Sequence, residues 1–204
     1  MEGASEITLS QYLHHVDQDI TLAINSFSFP ASDVLWQFFS KVAVWIPLYL
    51  IVIFFFFKRL GWKRALIALA ACVLTLLCCD QFANLVKDSV QRLRPCWDLD
   101  MVDGGLNILE GKGGRYGFFS AHAANAMGFA VCSLKTFRND SAYRYDRYAW
   151  GMLIWALLMG ISRVFVGKHF LGDVLVGFVV GSAFGMILGG IACQLMERLN
   201  RRER

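Results

Sequence analysis

Apolar runs long enough to cross a bilayer recur five times along this chain, at about residues 34–57, 65–86, 118–137, 148–166 and 171–196. Each would span a hydrocarbon core of roughly 30 Å at about 1.5 Å of helix per residue. With 56% hydrophobic residues and a mean hydropathy of +0.47, the chain is too apolar for an ordinary soluble domain. The fold expected is all-α: a polytopic transmembrane helical bundle of about five spans.

The stretch from Glu6 to Phe29 differs. Apolar Ile7, Leu9, Leu13, Val16, Ile20, Leu22, Ala23 and Ile24 are interspersed with His14, His15, Asp17, Gln18 and Asp19, the pattern of an amphipathic helix lying in the membrane interface. It lacks the basic start, compact apolar core and small-residue cleavage site of a signal peptide, so it is expected to stay in the mature protein. Phe29-Pro30-Ala31-Ser32-Asp33 reads as a turn, with Ser32 or Asp33 capping the first span. The organisation expected is an interfacial segment over 1–33, a transmembrane domain over 34–197 and a basic tail over 198–204. Of six cysteines, five fall in spans as small buried hydrophobes, and Cys96 lies in a polar loop. No disulfide, zinc site, cofactor or nucleic-acid partner is expected; the bilayer itself is the expected surrounding.

Five spans sort the loops into two sets. Lys58, Arg59, Lys63 and Arg64, then Lys135, Arg138, Arg144 and Arg147, then Arg198, Arg201, Arg202 and Arg204 mark one side as cytoplasmic by the positive-inside rule. The other set holds the N-terminal helix and the segments from Lys87 to Gly117 and from Arg163 to Leu171, which are expected to face the periplasm or cell exterior. That outer set still carries Lys87, Arg92, Arg94, Lys112, Arg115, Arg163 and Lys168. Positive charges gathered at a membrane surface repel one another unless an anion sits among them.

Three motifs fall on this outer face. Lys87 and Arg94 are seven residues apart, two turns if the helix persists, and Pro95 biases Arg94 out of helical geometry. Together they offer a compact charge and a planar fork to a tetrahedral oxyanion. Ser120-Ala121-His122 brings a hydroxyl, a backbone amide and an imidazole to the start of a helix, where free amides favour anions, and His122 is suited to giving a proton to a leaving oxygen. His169 and Asp173 stand one helical turn apart, so the carboxylate can fix the imidazole tautomer and leave the other nitrogen free to attack, while Arg163 adds a bidentate phosphate ligand.

In this order and on one face, the motifs resemble the type 2 phosphatidic acid phosphatase superfamily, whose signatures are Lys-x6-Arg-Pro, Pro-Ser-Gly-His and Ser-Arg-x5-His-x3-Asp. Lys87, Arg94 and Pro95 match the first, and Ser162, Arg163, His169 and Asp173 the third. The middle one keeps Ser120 and His122, with Phe119 in place of its proline and Ala121 in place of its glycine. Over roughly residues 60–196 the resemblance implies a metal-independent phosphomonoester or diphosphate hydrolase. His169 would form a phosphohistidine, Asp173 orient it and His122 protonate the departing oxygen. Lys87, Arg94, Ser120 and Arg163, with the Ala121 amide, would bind the phosphoryl oxygens. The substrate expected is a lipid phosphate. Undecaprenyl diphosphate is favoured, with phosphatidylglycerol phosphate, phosphatidate and lipid A as alternatives.

Other features are less specific. Asp98, Asp100, Asp103 and Glu110 among Gly104, Gly105, Gly111, Gly113 and Gly114 lack the ligand spacing of a calcium loop and read as a solvated, flexible flap over the site; Lys112 and Arg115 are candidates to touch a second phosphate or a headgroup. Gly177, Gly181, Gly185, Gly189 and Gly190 form a stripe suited to close packing within the bundle. Asp80, Gln81 and Asn84 are expected to hydrogen-bond beneath the site. A silent lipid-phosphate binder or transporter could use the same cations, but it has no reason to place Asp173 one turn after His169. Soluble vanadium-dependent haloperoxidases share the signatures without needing spans. Oligomeric state is open.

Overall fold

In a computed structural model that describes residues 8–202, the chain is helical with no strand among those residues. Its helices are α1 (Leu9–Asn25), α2 (Pro30–Ser40), α3 (Ile46–Leu60), α4 (Trp62–Val90), α5 (Leu99–Asp103), α6 (Ala121–Phe137), α7 (Asp146–Phe165) and α8 (Leu171–Arg202). The beginning of the amphipathic segment and the end of the basic tail lie outside the described residues. Four stretches are long and apolar enough to cross a membrane: Val42–Leu60, Trp62–Val90, Asp146–Phe165 and Leu171–Arg201. The fifth expected span is α6, 17 residues and about 25 Å long. It is the central helix, packed against α4, α7 and α8, with most of its residues buried.

Small residues make that centre possible. A Cβ on Gly177 would sit 2.6 Å from the Ser120 carbonyl oxygen, one on Gly185 2.6 Å from that of Gly128, and one on Gly181 would collide with the Ala124 carbonyl. The glycine stripe of α8 therefore lies directly on the α6 backbone, the intramolecular packing its spacing suggests.

The first span departs from expectation. Residues 34–57 are two helices, because Lys41 is extended and a short 3-10 turn, Val42–Trp45, precedes α3. Pro47 accounts for the break: it has no N–H to donate to Ala43, yet it is well tolerated in the first turn of α3. The expected turn at 29–33 is instead the start of α2, with Pro30 at its first position. Ser32 lies inside the helix and accepts from the Phe29 N–H at 2.9 Å, so it closes the first turn from within.

α1 is amphipathic, opened by a reciprocal cap between Thr8 and Gln11. Its polar side is the one it buries. Gln18, Thr21 and Asn25 face the protein, whereas Leu9 and Leu13 are 73% and 57% exposed. Asn25 donates to the Phe165 carbonyl at 2.9 Å and accepts from the Asn107 N–H at 2.7 Å. The helix is thus pinned to the end of the bundle where α7 meets α8, with its apolar side turned outward.

Candidate active site

Between the end of α7 and the start of α8 the chain makes a short turn in which the Lys168 and His169 amides both donate to the Arg163 carbonyl, at 3.0 and 3.2 Å. This turn presents His169 back toward α8. Its Nδ1 lies 3.2 Å from Asp173 Oδ2, which also accepts from the Phe170 N–H at 3.2 Å. The other oxygen, Oδ1, accepts from Arg92 Nη1 at 2.8 Å. His169 and Asp173 are 2% and 0% exposed, a depth at which an unpaired carboxylate would be costly. With Nδ1–H donating to Asp173, the Nε2 lone pair is free.

Lys87 and Arg94 meet by a different route from helix periodicity. α4 ends at Val90, and Gln91 adopts a left-handed φ of 51° that turns the chain. Residues 92–94 then run antiparallel to 115–117: the Arg94 N–H donates to the Arg115 carbonyl at 3.0 Å and the Gly117 N–H to that of Arg92 at 2.9 Å. A Cβ on Gly117 would lie 2.8 Å from Arg94 Cγ, so glycine there lets the arginine lie flat across the strand-like pair. This pairing also delivers the chain to α6. Ser120 is its N-cap, its Oγ accepting from the Ala123 N–H at 3.4 Å and its own N–H donating to the Asp173 carbonyl at 3.0 Å. Phe119 fills a buried pocket beside Cys79, Ala83 and Ala124.

Lys87, Arg94, Ala121, His122, Arg163 and His169 line one cavity of about 550 Å³, with Tyr49, Leu76 and Met159 on its apolar walls. Seven of the eight residues expected at the site are therefore on its wall or, for Asp173, directly behind it. Ser120 is fully buried and caps α6 instead of lining the cavity. Asp80 and Asn84 also line it, Asp80 accepting from Asn125 at 2.9 Å. Among the described residues no carboxylate is within ion-pair distance of Lys87 or Arg94, and the buried Nε of Arg163 has no partner. The cavity is thus cationic and rich in donors, the environment a phosphoryl group requires. Burial, then Arg163, Arg94, Lys87 and Lys168, push the His169 imidazole well below its ordinary pKa, which keeps it neutral and nucleophilic at physiological pH.

Residues 64–194 match the model of the PAP2 superfamily. The chain belongs to the PAP2 superfamily. It is 29% identical over 191 residues to the lipid A 4'-phosphatase of Bacteroides thetaiotaomicron, covering 93% of this chain and 82% of that protein. It is 29% identical over 176 residues to the lipid A 4'-phosphatase of Porphyromonas gingivalis, covering 86% and 72%. Among solved structures it resembles Aquifex aeolicus LpxE, with a TM-score of 0.56, 25% identity and coverage of 83% and 92%. Its fold also resembles the PAP2-type phosphatidylglycerolphosphate phosphatase of Bacillus subtilis, with a TM-score of 0.69, 20% identity and coverage of 88% and 86%. The protein is a multi-pass membrane lipid phosphatase of the PAP2 type, a metal-independent phosphohydrolase class.

Around this PAP2 core the structure adds residues that sequence motifs do not reveal. Arg92 bridges Asp173 to Asp17 of α1, with Nη2 at 2.7 Å from Asp17 Oδ2, and its guanidinium lies 4.0 Å over the Phe170 ring. Asp17 Oδ1 accepts from the Gly172 N–H at 2.8 Å and Thr21 from the Leu171 N–H at 3.0 Å. The open amides at the start of α8 are therefore capped by side chains of α1. Arg163 is steadied by Ser40 and by Glu110 at 3.4 Å. The segment over 98–117 is more ordered than a flexible flap: Met101 and Leu106 pack on Phe170, Asp98 accepts from Gln18 at 3.1 Å, and buried Lys168 donates to the Gly111 carbonyl. Neither Lys112, over the Trp97 ring, nor Arg115 lines the cavity.

Proposed function

We propose that this PAP2 phosphatase removes a phosphate monoester from lipid A, at the outer face of the cytoplasmic membrane, through a phosphohistidine on His169. The observation that carries the reading is the match, over almost the whole chain, to two lipid A 4'-phosphatases. These relatives favour lipid A over undecaprenyl diphosphate, the substrate favoured on the motifs alone. The outward orientation is supported by the cations Lys58, Arg59, Arg144 and Arg147 at the opposite end of the bundle.

In the proposed reaction Lys87, Arg94 and Arg163 hold the non-bridging oxygens, assisted by the first amides of α6, Ala121 among them. Ser120 acts by fixing the start of that helix. His169 Nε2 forms a bond to phosphorus as the bond to the lipid oxygen breaks, and that oxygen takes a proton from His122. Asp173 accepts the hydrogen bond from Nδ1–H throughout, the proton staying on the ring, and stabilises the charged ring. Water then adds to phosphorus, His122 takes its proton, the N–P bond breaks, and phosphate leaves with His169 neutral again.

The test is phosphate release by purified protein in detergent with EDTA, from lipid A, undecaprenyl diphosphate and phosphatidylglycerol phosphate, with mass spectrometry of the lipid product. Lipid A is expected to be the best substrate, losing its 4'-phosphate. His169→Ala is expected to lower kcat at least about a thousandfold, the order associated with removal of a covalent nucleophile. A clear preference for the diphosphate would overturn the substrate, and an active alanine variant the mechanism.

A further inference from the structure

At the end of the bundle far from His169, a second cavity of about 640 Å³ opens between α3 and α7. α3 packs on α4 and α7 on α6, and at the inner end of the groove the Trp155 ring of α7 lies 5.8 Å from that of Trp45, in the turn before α3, and 5.9 Å from that of Tyr49 in α3. Below that aromatic bridge the walls are apolar, among them Leu48, Val52, Phe55 and Met152. The hydroxyls beside it are engaged: Tyr148 donates to Ser133 at 2.7 Å and Tyr145 to Asp140 at 2.8 Å. Gly151 lines the groove, and a Cβ added there would meet no atom within 4 Å.

Charge is confined to the mouth and has one sign available. Arg59 is held by Asp140 at 2.7 Å. Lys58 is exposed, its ammonium 5.7 Å from the Phe54 ring centroid and 5.9 Å from that of Phe55. Arg144 has only the exposed pair with Asp146, a contact weak enough for a phosphate to displace.

We infer that this groove binds one anionic phospholipid of the leaflet opposite the catalytic cavity, with its acyl chains below Trp155 and its phosphate between Lys58 and Arg144. A soluble ligand would find almost no free polar group along the walls, whereas a lipid matches both the apolar depth and the cationic rim. The site shares no residue with the catalytic cavity.

Native mass spectrometry tests this on the full-length protein released from detergent containing equal amounts of phosphatidylglycerol and phosphatidylcholine. One phosphatidylglycerol is expected to remain bound, at an excess of roughly tenfold or more over phosphatidylcholine, as two interfacial cations should give. Lys58→Gln with Arg144→Gln should abolish the preference, and Gly151→Trp should abolish the adduct, with phosphatase activity retained in both as proof of folding. Lys87→Gln should leave the adduct unchanged. Equal retention of the two lipids overturns the proposal, as does an adduct that survives both groove variants. Loss of the adduct on Lys87→Gln would place the lipid in the catalytic cavity and overturn it equally.

Discussion

The two ends of this bundle enclose cavities of similar size, about 550 Å³ and 640 Å³, and treat charge in opposite ways. At the catalytic end Asp173, Arg163, Lys168 and His169 are all at most 5% exposed. At the other end Arg144 is 92% exposed and the interior is hydrocarbon. Burying ions requires partners for each of them, and the catalytic end supplies these from four separate segments: Asp17, Ser40, Arg92 and the loop residues Glu110 and Gly111. Lys87 and Arg94 are left with no carboxylate of their own among the described residues, and that unbalanced charge is what the proposed reaction uses to hold a phosphate. The difference teaches that the end holding His169 joins buried ions from several segments into one network, whereas the opposite end has the single Arg59–Asp140–Tyr145 cluster and otherwise exposed charges.

The sharpest way to break the comparison is the same substitution at both ends. Arg92→Met removes a partly buried bridge between Asp17 and the fully buried Asp173 and is expected to lower kcat about a hundredfold through misplacement of His169, with KM little changed. Arg59→Met removes a bridge to Asp140 and should leave kcat within about twofold, its effect appearing in thermal stability. Equal losses of activity would show that the ends are not functionally distinct. Asp17→Ala should cost less than Arg92→Met, about tenfold, because Arg92 still holds Asp173 while α8 loses one cap. A KM change with constant kcat in that variant would reassign α1 to substrate binding.

What the sequence disclosed follows the same division. Lys87, Arg94, His169 and Asp173 carry local spacings, and those spacings survive in three dimensions even though Gln91 breaks the helix that was expected to carry the first pair. Pro47 was visible but embedded in an apolar run, so the break between α2 and α3 was hidden by composition. The partners of the buried ions were not readable, because Asp17 reaches Arg92 across 75 residues and Gly172 across 155. One signal was available: His14, Asp17, Gln18, Thr21 and Asn25 repeat at helical spacing, and the polar stripe they form is the side that α1 turns to the protein. In an interfacial helix polar residues read as the wet side, and only the structure reverses that reading. In the proposed reaction the motifs address only the phosphoryl group, which every candidate lipid shares, so they leave the substrate to whole-chain likeness.

A finer probe asks whether the buried cations act on His169 through space. Its depressed pKa has burial as the first cause and the cations, Lys168 among them, after it. The acid limb of kcat/KM should therefore lie below the ordinary histidine range. Lys168→Met removes a positive charge and lets the imidazole hold its proton to higher pH, so the limb should move upward, while Lys168→Arg should leave it in place. An unmoved limb in the methionine variant would confine Lys168 to anchoring the Gly111 segment.

The smallest effect is expected at the opposite end. Partial burial pushes the Asp140 carboxyl up, but Arg59, Tyr145 and the Ala142 amide outweigh it and hold the group below its ordinary value of 3.8. A carboxylate depressed by folding contributes stability above its unfolded pKa and loses it as pH falls through the folded value. The contribution should thus be complete at neutral pH and disappear in acid below about pH 4. Asp140→Asn should lower stability by about 1 kcal/mol at pH 7, the upper range for a partly exposed pair, and by less at pH 3. Thermal unfolding at the two pH values reads this directly. A penalty that is the same at both would mean that Asp140 holds Arg59 and Tyr145 by hydrogen-bond geometry alone, and that charge at this end of the bundle contributes nothing to the fold.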